Sequence, residues 1–311
     1  MRFSKIAFSL VLSVVLILTL YTPGKAEASS KGTAVNAGEY LLYLLNDFNK
    51  KINSGEIYDI DAQYDALSNQ IKKTERAIGR VSGSSTRKSL QAKYVRPAKV
   101  ARERVIYEVS QFRLLKAIGK NAIANKVSVV NSDLQKLDRL KRRAVEIKKA
   151  GNYAAVPGSI NKQLESIEVP LKNNTFAIPD PAVSFTINNY ELDVLLLVNM
   201  ERHENGIKPL TIHKKLSAVA RKKSNDMYVS NYFSLYSSKY GSIEDLLERY
   251  GLTSGGGSYG VNIAKNWGSA RKTVSELLNS SQNREILLQN DISYSGVGVD
   301  HDHVTILHIA N

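Results

Sequence analysis

Few residue types in this chain could carry chemistry. None of the 311 residues is cysteine. That removes disulfide scaffolds, thiolate zinc sites, cysteine nucleophiles, iron–sulfur clusters and a lipid-bearing cysteine. The five histidines, His203, His213, His301, His303 and His308, all lie beyond residue 200, and none stands in a recognisable triad. His301 and His303 alternate with Asp300 and Asp302. On an extended turn both imidazoles would face one way, as weak metal capture requires, although a polar hairpin tip accounts for the same pattern. Gly256-Gly257-Ser258-Tyr259-Gly260 carries the letters of a nucleophile elbow. An elbow needs a strand before its serine and a helix after it, whereas a glycine run precedes this one, so the match reads as chance. Trp267 reads as packing, and no phosphate-cradling or dinucleotide glycine motif is present. The residues assign no catalytic group, no cofactor and no metal.

Charge is the stronger signal. The chain carries 43 Lys and Arg against 29 Asp and Glu, a net +14, and the surplus sits in one half. Residues 29–180 hold 27 basic and 15 acidic side chains, whereas residues 181–311 hold 13 of each. Within Lys72 to Lys149 the count is 22 against 6. The densest sets are Arg87, Lys88, Lys93, Arg96, Lys99, Arg102 and Arg104, then Arg139, Lys141, Arg142, Arg143, Lys148 and Lys149. At 3.6 residues per turn many of these would line surfaces about one turn apart, a spacing suited to a string of phosphates or carboxylates. Such asymmetry points to two modules, one facing an anionic partner.

The elements that must present these residues follow from apolar periodicity. Arg2 and Lys5 precede an apolar stretch from Ile6 to Leu20, then Pro23-Gly24 as a helix break and Ala26-Glu27-Ala28 as a small-x-small cleavage site. Fifteen apolar residues fall short of the roughly 20 that span a bilayer, so residues 1–28 read as a cleaved signal peptide and the mature chain as exported, without a membrane segment. Export without cysteine fits a Gram-positive envelope. Residues 29–150 read as an all-α module with helical spacing at Tyr40, Leu41, Leu44, Leu45 and Phe48 and at Ile60, Tyr64, Leu67, Ile71 and Ile78. A third pattern runs from Leu90 to Leu115 with a kink at Pro97, and a fourth from Leu134 to Ile147 that ends near Gly151. Breaks are expected at 53–55, 82–84 and 131–132. Four of the seven prolines, Pro157, Pro170, Pro179 and Pro181, mark residues 151–185 as an extended linker. Residues 186–311 mix helices with two strands, 296–299 and 304–309, a grammar that predicts an α+β, α-β-α sandwich around a small antiparallel sheet.

Two resemblances add to this reading. Val198-Asn199-Met200-Glu201-Arg202, Gly206-Ile207-Lys208-Pro209-Leu210, Asp226-Met227, Asn231-Tyr232-Phe233-Ser234, Gly260-Val261-Asn262-Ile263-Ala264, Asn279-Ser280, Arg284 and Gly296-Val297-Gly298-Val299 follow the order and spacing of the CAP superfamily of cysteine-rich secretory, antigen 5 and pathogenesis-related proteins. The chain is most similar to that superfamily's cysteine-free bacterial branch. The resemblance implies a cavity with two histidines and two acids, which binds a divalent cation in some members. Position by position, those sites are Leu235, Val261, Glu276 and Asn283 here, so only Glu276 keeps its chemistry. A lone carboxylate does not hold zinc, and the expected cavity is degenerate, more apolar and non-catalytic. Earlier in the chain, Val81 to Leu90, Arg104 to Val109 and Leu134 to Lys149 resemble the helical N-terminal region of SbsC-type surface-layer proteins, across about residues 60–150. That resemblance implies binding of a secondary cell-wall polymer through basic residues.

The expectation is a secreted, wall-associated binding protein. Its basic helices would hold teichoic acid or another anionic wall polymer through Arg87, Lys88, Lys93, Arg96, Lys99, Arg102, Arg104, Arg139, Lys141, Arg142 and Arg143. Two rivals stand beside it: a secreted CAP-fold hydrolase or metal-dependent enzyme, and an extracellular nucleic-acid binder, which fits the electrostatics but not the exported setting.

Overall fold

The structure, a computed structural model, describes residues 23–180, 182–252, 258–265 and 268–310. Most of the expected signal segment, the Ser254–Gly257 run and Trp267 lie outside them. The described chain opens within α1 (Pro23–Ser54), and Gly24, expected as part of a helix break, lies inside it. The expected cleavage point before Ser29 falls within α1.

α1 pairs with α2 (Ile57–Gly79) in an antiparallel hairpin: Gln70 donates to Ala37 O at 3.0 Å, and the rings of Phe48 and Tyr64 meet farther along. The turn rests on Gly55 at φ 78, where an added Cβ would stand 2.0 Å from Ser159 Oγ. A second rod is built from α3 (Ser84–Leu90), a π-helical turn at Gln91–Val95 and α4 (Arg96–Ile123). The widened turn ends two residues before Pro97, whose nitrogen has no hydrogen to donate, at the place where the kink was expected. α5 (Val127–Gly151) runs through the break expected at 131–132, because the buried series Val130, Leu137 and Ala144 continues across it. The chain breaks earlier, at Asn125 (φ 57), and Asn152 (φ 48) rather than Gly151 takes the left-handed cap.

The extended linker expected at 151–185 is corrected. Within it lies α6 (Gly158–Lys172), which buries Ile160, Leu164, Ile167 and Leu171 at helical spacing between α4 and α7 (Asn189–Glu204). Pro157 is its N-cap and Pro170 lies in its last turn, so these two prolines frame a helix.

The remaining elements are β1 (Thr211–Ile212), α8 (Lys214–Val229), α9 (Ile243–Arg249), β2 (Tyr259–Lys265), α10 (Ala270–Asn279), α11 (Ser281–Leu287), β3 (Tyr294–Asp300) and β4 (His303–Ile309). The sheet order is β1-β3-β4-β2. β4 pairs antiparallel with both neighbours, but β1 pairs parallel with β3, so the sheet is mixed where a purely antiparallel one was expected. α8 covers one face, and α7, α10 and α11 cover the other. The fold class is therefore as expected: a helical N-terminal region followed by an α-β-α sandwich.

Polar side chains lock this sandwich. Asn188 and Glu191 form a capping box at the start of α7. The buried Glu191 carboxylate also pairs with Arg221 on α8 at 2.5 Å and accepts from Val299 N at 3.1 Å. Asn199 clasps the backbone of Leu210 in both directions, at 2.8 and 2.9 Å.

One apolar cluster runs without interruption from Leu41, Phe48 and Phe112 through Leu164 and Leu195 to Val297 and Ile306. A second, between α8, α9 and the sheet, includes Val219, Leu246 and Leu307. The two halves thus share a core, and ion pairs cross the seam: Lys116–Asp193 at 2.5 Å and Arg271–Glu56 at 2.8 Å.

His308 on β4 is fully buried, and neither ring nitrogen has a hydrogen-bond partner among the described residues. Burial, with a smaller contribution from the Arg202 cation, pushes its pKa down to about 3. A depressed histidine supports the fold above the unfolded value of about 6.5, and that support is lost as pH falls toward 3, at about 1.4 kcal/mol per unit. His308→Leu should therefore lose less stability than the parent on acidification from about pH 7 to pH 5, by about 2 kcal/mol in denaturant titrations. Equal losses would show that this histidine is not the acid-sensitive group.

Candidate polyanion interface and the cavity positions

The basic residues singled out by sequence divide into two groups. Lys93 pairs with Glu39 at 3.0 Å, Lys99 with Glu75 at 2.6 Å, Arg102 with Glu103 at 2.5 Å and Lys141 with Glu168 at 2.7 Å. Arg87 donates to Val81 O at 2.8 Å, and Arg104 reaches the carbonyls of Ala154 and Ala155. All six are committed within the chain, and Lys93, Lys99, Arg104 and Lys141 tie separate segments of the bundle together. Glu168 shows how firmly: burial alone would raise its pKa, yet hydrogen bonds from Lys141 and Lys172 hold it below the ordinary carboxylate range. The other five, Lys88, Arg96, Arg139, Arg142 and Arg143, are exposed and have no hydrogen-bond or ion-pair partner among the described residues.

Helix geometry places the unpaired cations. α5 packs through Val130, Asp133, Leu137 and Ala144. At about 100° per residue, Arg139, Arg142, Arg143 and Lys149 fall within an arc of about 120° on the opposite pole. Glu146 shares that arc, while Lys141 and Lys148 point inward to Glu168 and Glu108.

α2 carries a second set that the density of basic residues did not reveal. Lys72, Lys73, Arg76 and Arg80 are exposed and unpaired among the described residues, opposite the buried Leu67, Ile71, Thr74 and Ile78. Its signal was the four-residue spacing of Lys72, Arg76 and Arg80, weaker to the eye than a run. Cations at a helix C-terminus also meet its negative dipole end, which favours them there without any partner.

The four cavity positions are not brought together. Leu235 is 44% exposed in the loop after α8. Val261 lies on β2 with its side chain against the α8–α9 cluster, partnering Leu307. Its neighbour Asn262 points through the opposite face, where it donates to Asn283 Oδ1 at 3.0 Å. Glu276 is exposed on α10. Two aliphatic side chains and a committed amide supply no ligand set, so these residues do not fit the divalent cation that the family's cavity takes in some members.

The loop that carries Leu235 is held from beneath. Lys223, fully buried, donates to Tyr232 Oη at 2.9 Å; that hydroxyl donates to Asp226, which also accepts from Ser237 at 2.7 Å. Burial lowers the Lys223 pKa to about 8.

At the hairpin tip the two histidines separate. His301, at φ 50, stacks on Tyr228 with ring centroids 3.6 Å apart. His303 is buried with Nδ1 2.8 Å from Asp302, while Lys265 Nζ lies 2.7 Å from its Nε2. An ammonium thus stands where a metal would approach that nitrogen. Among the described residues no three His, Asp or Glu side chains converge. Ser258 is followed by the strand β2, where an elbow needs a helix; Gly256 and Gly257 lie outside the described residues.

A groove of about 610 Å³ follows the seam, with Ser166, Val169, Pro170, His203, Thr211 and Ile292 among its walls. The Ser166 hydroxyl is committed to Gln163 O at 2.7 Å. No described helix is long and apolar enough to cross a membrane.

Comparison with known proteins matches residues 195–304 to the cysteine-rich secretory protein (CAP) family and residues 28–99 to the SbsC C-terminal domain. The SbsC-type likeness read from the sequence is thus shown; the matched span begins earlier than the expected 60–150 and overlaps it over 60–99, and the matching model is that of the C-terminal domain. The Bacillus subtilis protein YkwD is 34% identical over 175 residues, 56% of this chain and 63% of YkwD. The B. subtilis membrane protein YlbC is 37% identical over 115 residues, 37% of this chain and 33% of YlbC. The chain thus spans less than two thirds of either relative. A crystal structure of an extracellular SCP-domain protein from Bacillus anthracis superposes with a TM-score of 0.39 at 26% identity, over 46% of this chain and 50% of that one.

Proposed function

We propose, for a chain that carries a CAP-family domain behind an SbsC-type helical domain, that it is a surface-associated binding protein whose helical half holds an anionic cell-wall polymer. The CAP half serves in binding or structure and not in catalysis. What carries the reading is the clustering on α2 and α5 of exposed cations that have no internal partner among the described residues: Lys72, Lys73, Arg76 and Arg80, then Arg139, Arg142, Arg143 and Lys149. Because the SbsC match is to a C-terminal domain, charge and exposure support polymer binding, and family descent does not.

Cations held in water bind polyanions mainly by displacing counterions, so affinity falls steeply with salt. The full chain should sediment with isolated Gram-positive walls at low salt and leave them as salt rises. It should ignore walls stripped of their phosphate polymers. Retention on stripped walls would end the proposal. Duplex DNA that competes better than teichoic acid would favour a nucleic-acid role instead.

A further inference from the structure

We infer that the bundle has two separate polyanion faces, the outward arcs of α2 and α5, and that the cations already paired with carboxylates, Lys93, Lys99, Arg102 and Lys141, take no part in binding. The inference rests on the proposed polymer-binding role and locates it.

Three observations converge. First, Lys72, Lys73, Arg76 and Arg80 are all exposed and unpaired among the described residues. Their one near acid, Glu75, is taken by Lys99 at 2.6 Å. Second, Arg139, Arg142, Arg143 and Lys149 are likewise exposed and unpaired, against Glu146 as the one acid in their arc. The neighbouring Asp138 is held by Lys172 at 2.9 Å, and that hydrogen bond keeps its carboxyl below the usual range. Third, α2 and α5 each pack along α4 rather than along one another. Each arc spans two to three turns, about 12–15 Å at 1.5 Å per residue, enough to meet several successive phosphates. One strand lying along α2 is therefore not positioned to lie along α5 as well, and the bundle can engage two strands at once.

The contrast with the paired cations is physical. Lys93, Lys99 and Arg102 already hold carboxylates, so a polymer phosphate there would have to displace an ion pair already formed. An unpaired arginine gives up only water and a diffuse counterion.

Three four-residue variants of the full chain, each removing the same net charge, test this. They are K72Q/K73Q/R76Q/R80Q, R139Q/R142Q/R143Q/K149Q, and the paired set K93Q/K99Q/R102Q/K141Q. The probe is short-chain inorganic polyphosphate, titrated calorimetrically between about 50 and 200 mM salt, with circular dichroism to confirm helix content. The parent should bind two probes per chain. Either arc variant should bind one, and the eight-residue combination none. With long-chain polyphosphate, where both faces engage, each arc variant should flatten the log–log salt slope by about 3, at roughly 0.7 per lost phosphate contact. The paired set, if folded, should keep both sites.

Loss of both sites on neutralising one arc would mean a single surface, and a folded paired-set variant that binds nothing would place the ligand on the paired cations. Either result overturns the inference and leaves the polymer-binding role standing. A parent that binds neither walls nor polyphosphate would overturn the role itself.

Discussion

Arg202→Met should destabilise the whole chain by about 3 kcal/mol, although it removes a buried charge and keeps an unbranched side chain. Arg202 is 1% exposed, with no carboxylate among its hydrogen-bond partners. Its guanidinium donates instead to three carbonyls: Lys208 O at 2.9 Å, Leu287 O at 2.9 Å and Gln289 O at 2.8 Å. Burial holds its pKa down at about 10, so the charge itself is unfavourable there. Methionine relieves that cost but strands three acceptors, at about 1–3 kcal/mol each. The second effect wins because three losses oppose one gain. Arg202→Lys should not rescue, since one ammonium cannot span the three directions of a planar fork. Urea midpoints read the result. A neutral Arg202→Met would mean that the carbonyls find other donors and that the fork is dispensable.

This residue explains why the fold was legible and the activity was not. Arg202 belongs to the run Val198 to Arg202 that carried the CAP resemblance. Its companions do similar work: Asn199 clasps Leu210, Asp226 anchors Tyr232 and Ser237, and Asn262 holds Asn283. Arg202 joins α7 to the end of α11, and the others fix the segments that follow their own elements, so identity and spacing together make a readable pattern. Of the cavity positions only Asn283 shares such a duty, through Asn262. Leu235 sits on an exposed loop and Val261 on a strand face that any aliphatic residue could fill. Leu235 and Val261 thus carry no ligand atom at two of the four positions.

The helical half was legible in a different measure. Apolar periodicity located α1, α2, α4 and α5, because each buries one stripe. It failed at α6, where four prolines drew attention from Ile160, Leu164, Ile167 and Leu171. It failed also at β2, β1 and α11, which are short and take their partners from far along the chain. Charge density located the basic helices but could not sort them. Whether a lysine is free depends on which acid faces it across a groove, and Lys99 meets Glu75 only through the packing of α2 on α4. The continuous core has a further consequence. Cutting the chain near residue 150 would expose the faces that α4 and α7 turn to α6, so binding is best assigned by point variants in the full chain.

The largest loss expected from the smallest change lies at Gly298. A methyl group there would stand 1.9 Å from the backbone nitrogen of Arg221 and 2.3 Å from the carbonyl carbon of Ala220, far inside contact distance. Both atoms are main chain of α8, so no rotamer change relieves the clash, and the helix must lift from β3. Lifting it breaks the bonds from Ser224 Oγ to Gly298 O and to Thr305 Oγ1, each 2.9 Å, and strains the Arg221–Glu191 pair. Overpacking of this kind costs about 3 kcal/mol or more. Gly158→Ala is the control: nothing lies within 4 Å of its added Cβ, and it starts α6. That substitution should be neutral or stabilise by about 0.4–1 kcal/mol, through the unfolded chain. If the two variants unfold at the same urea concentration, α8 does not rest on β3 as closely as described, and the Gly296–Val299 run has some other meaning.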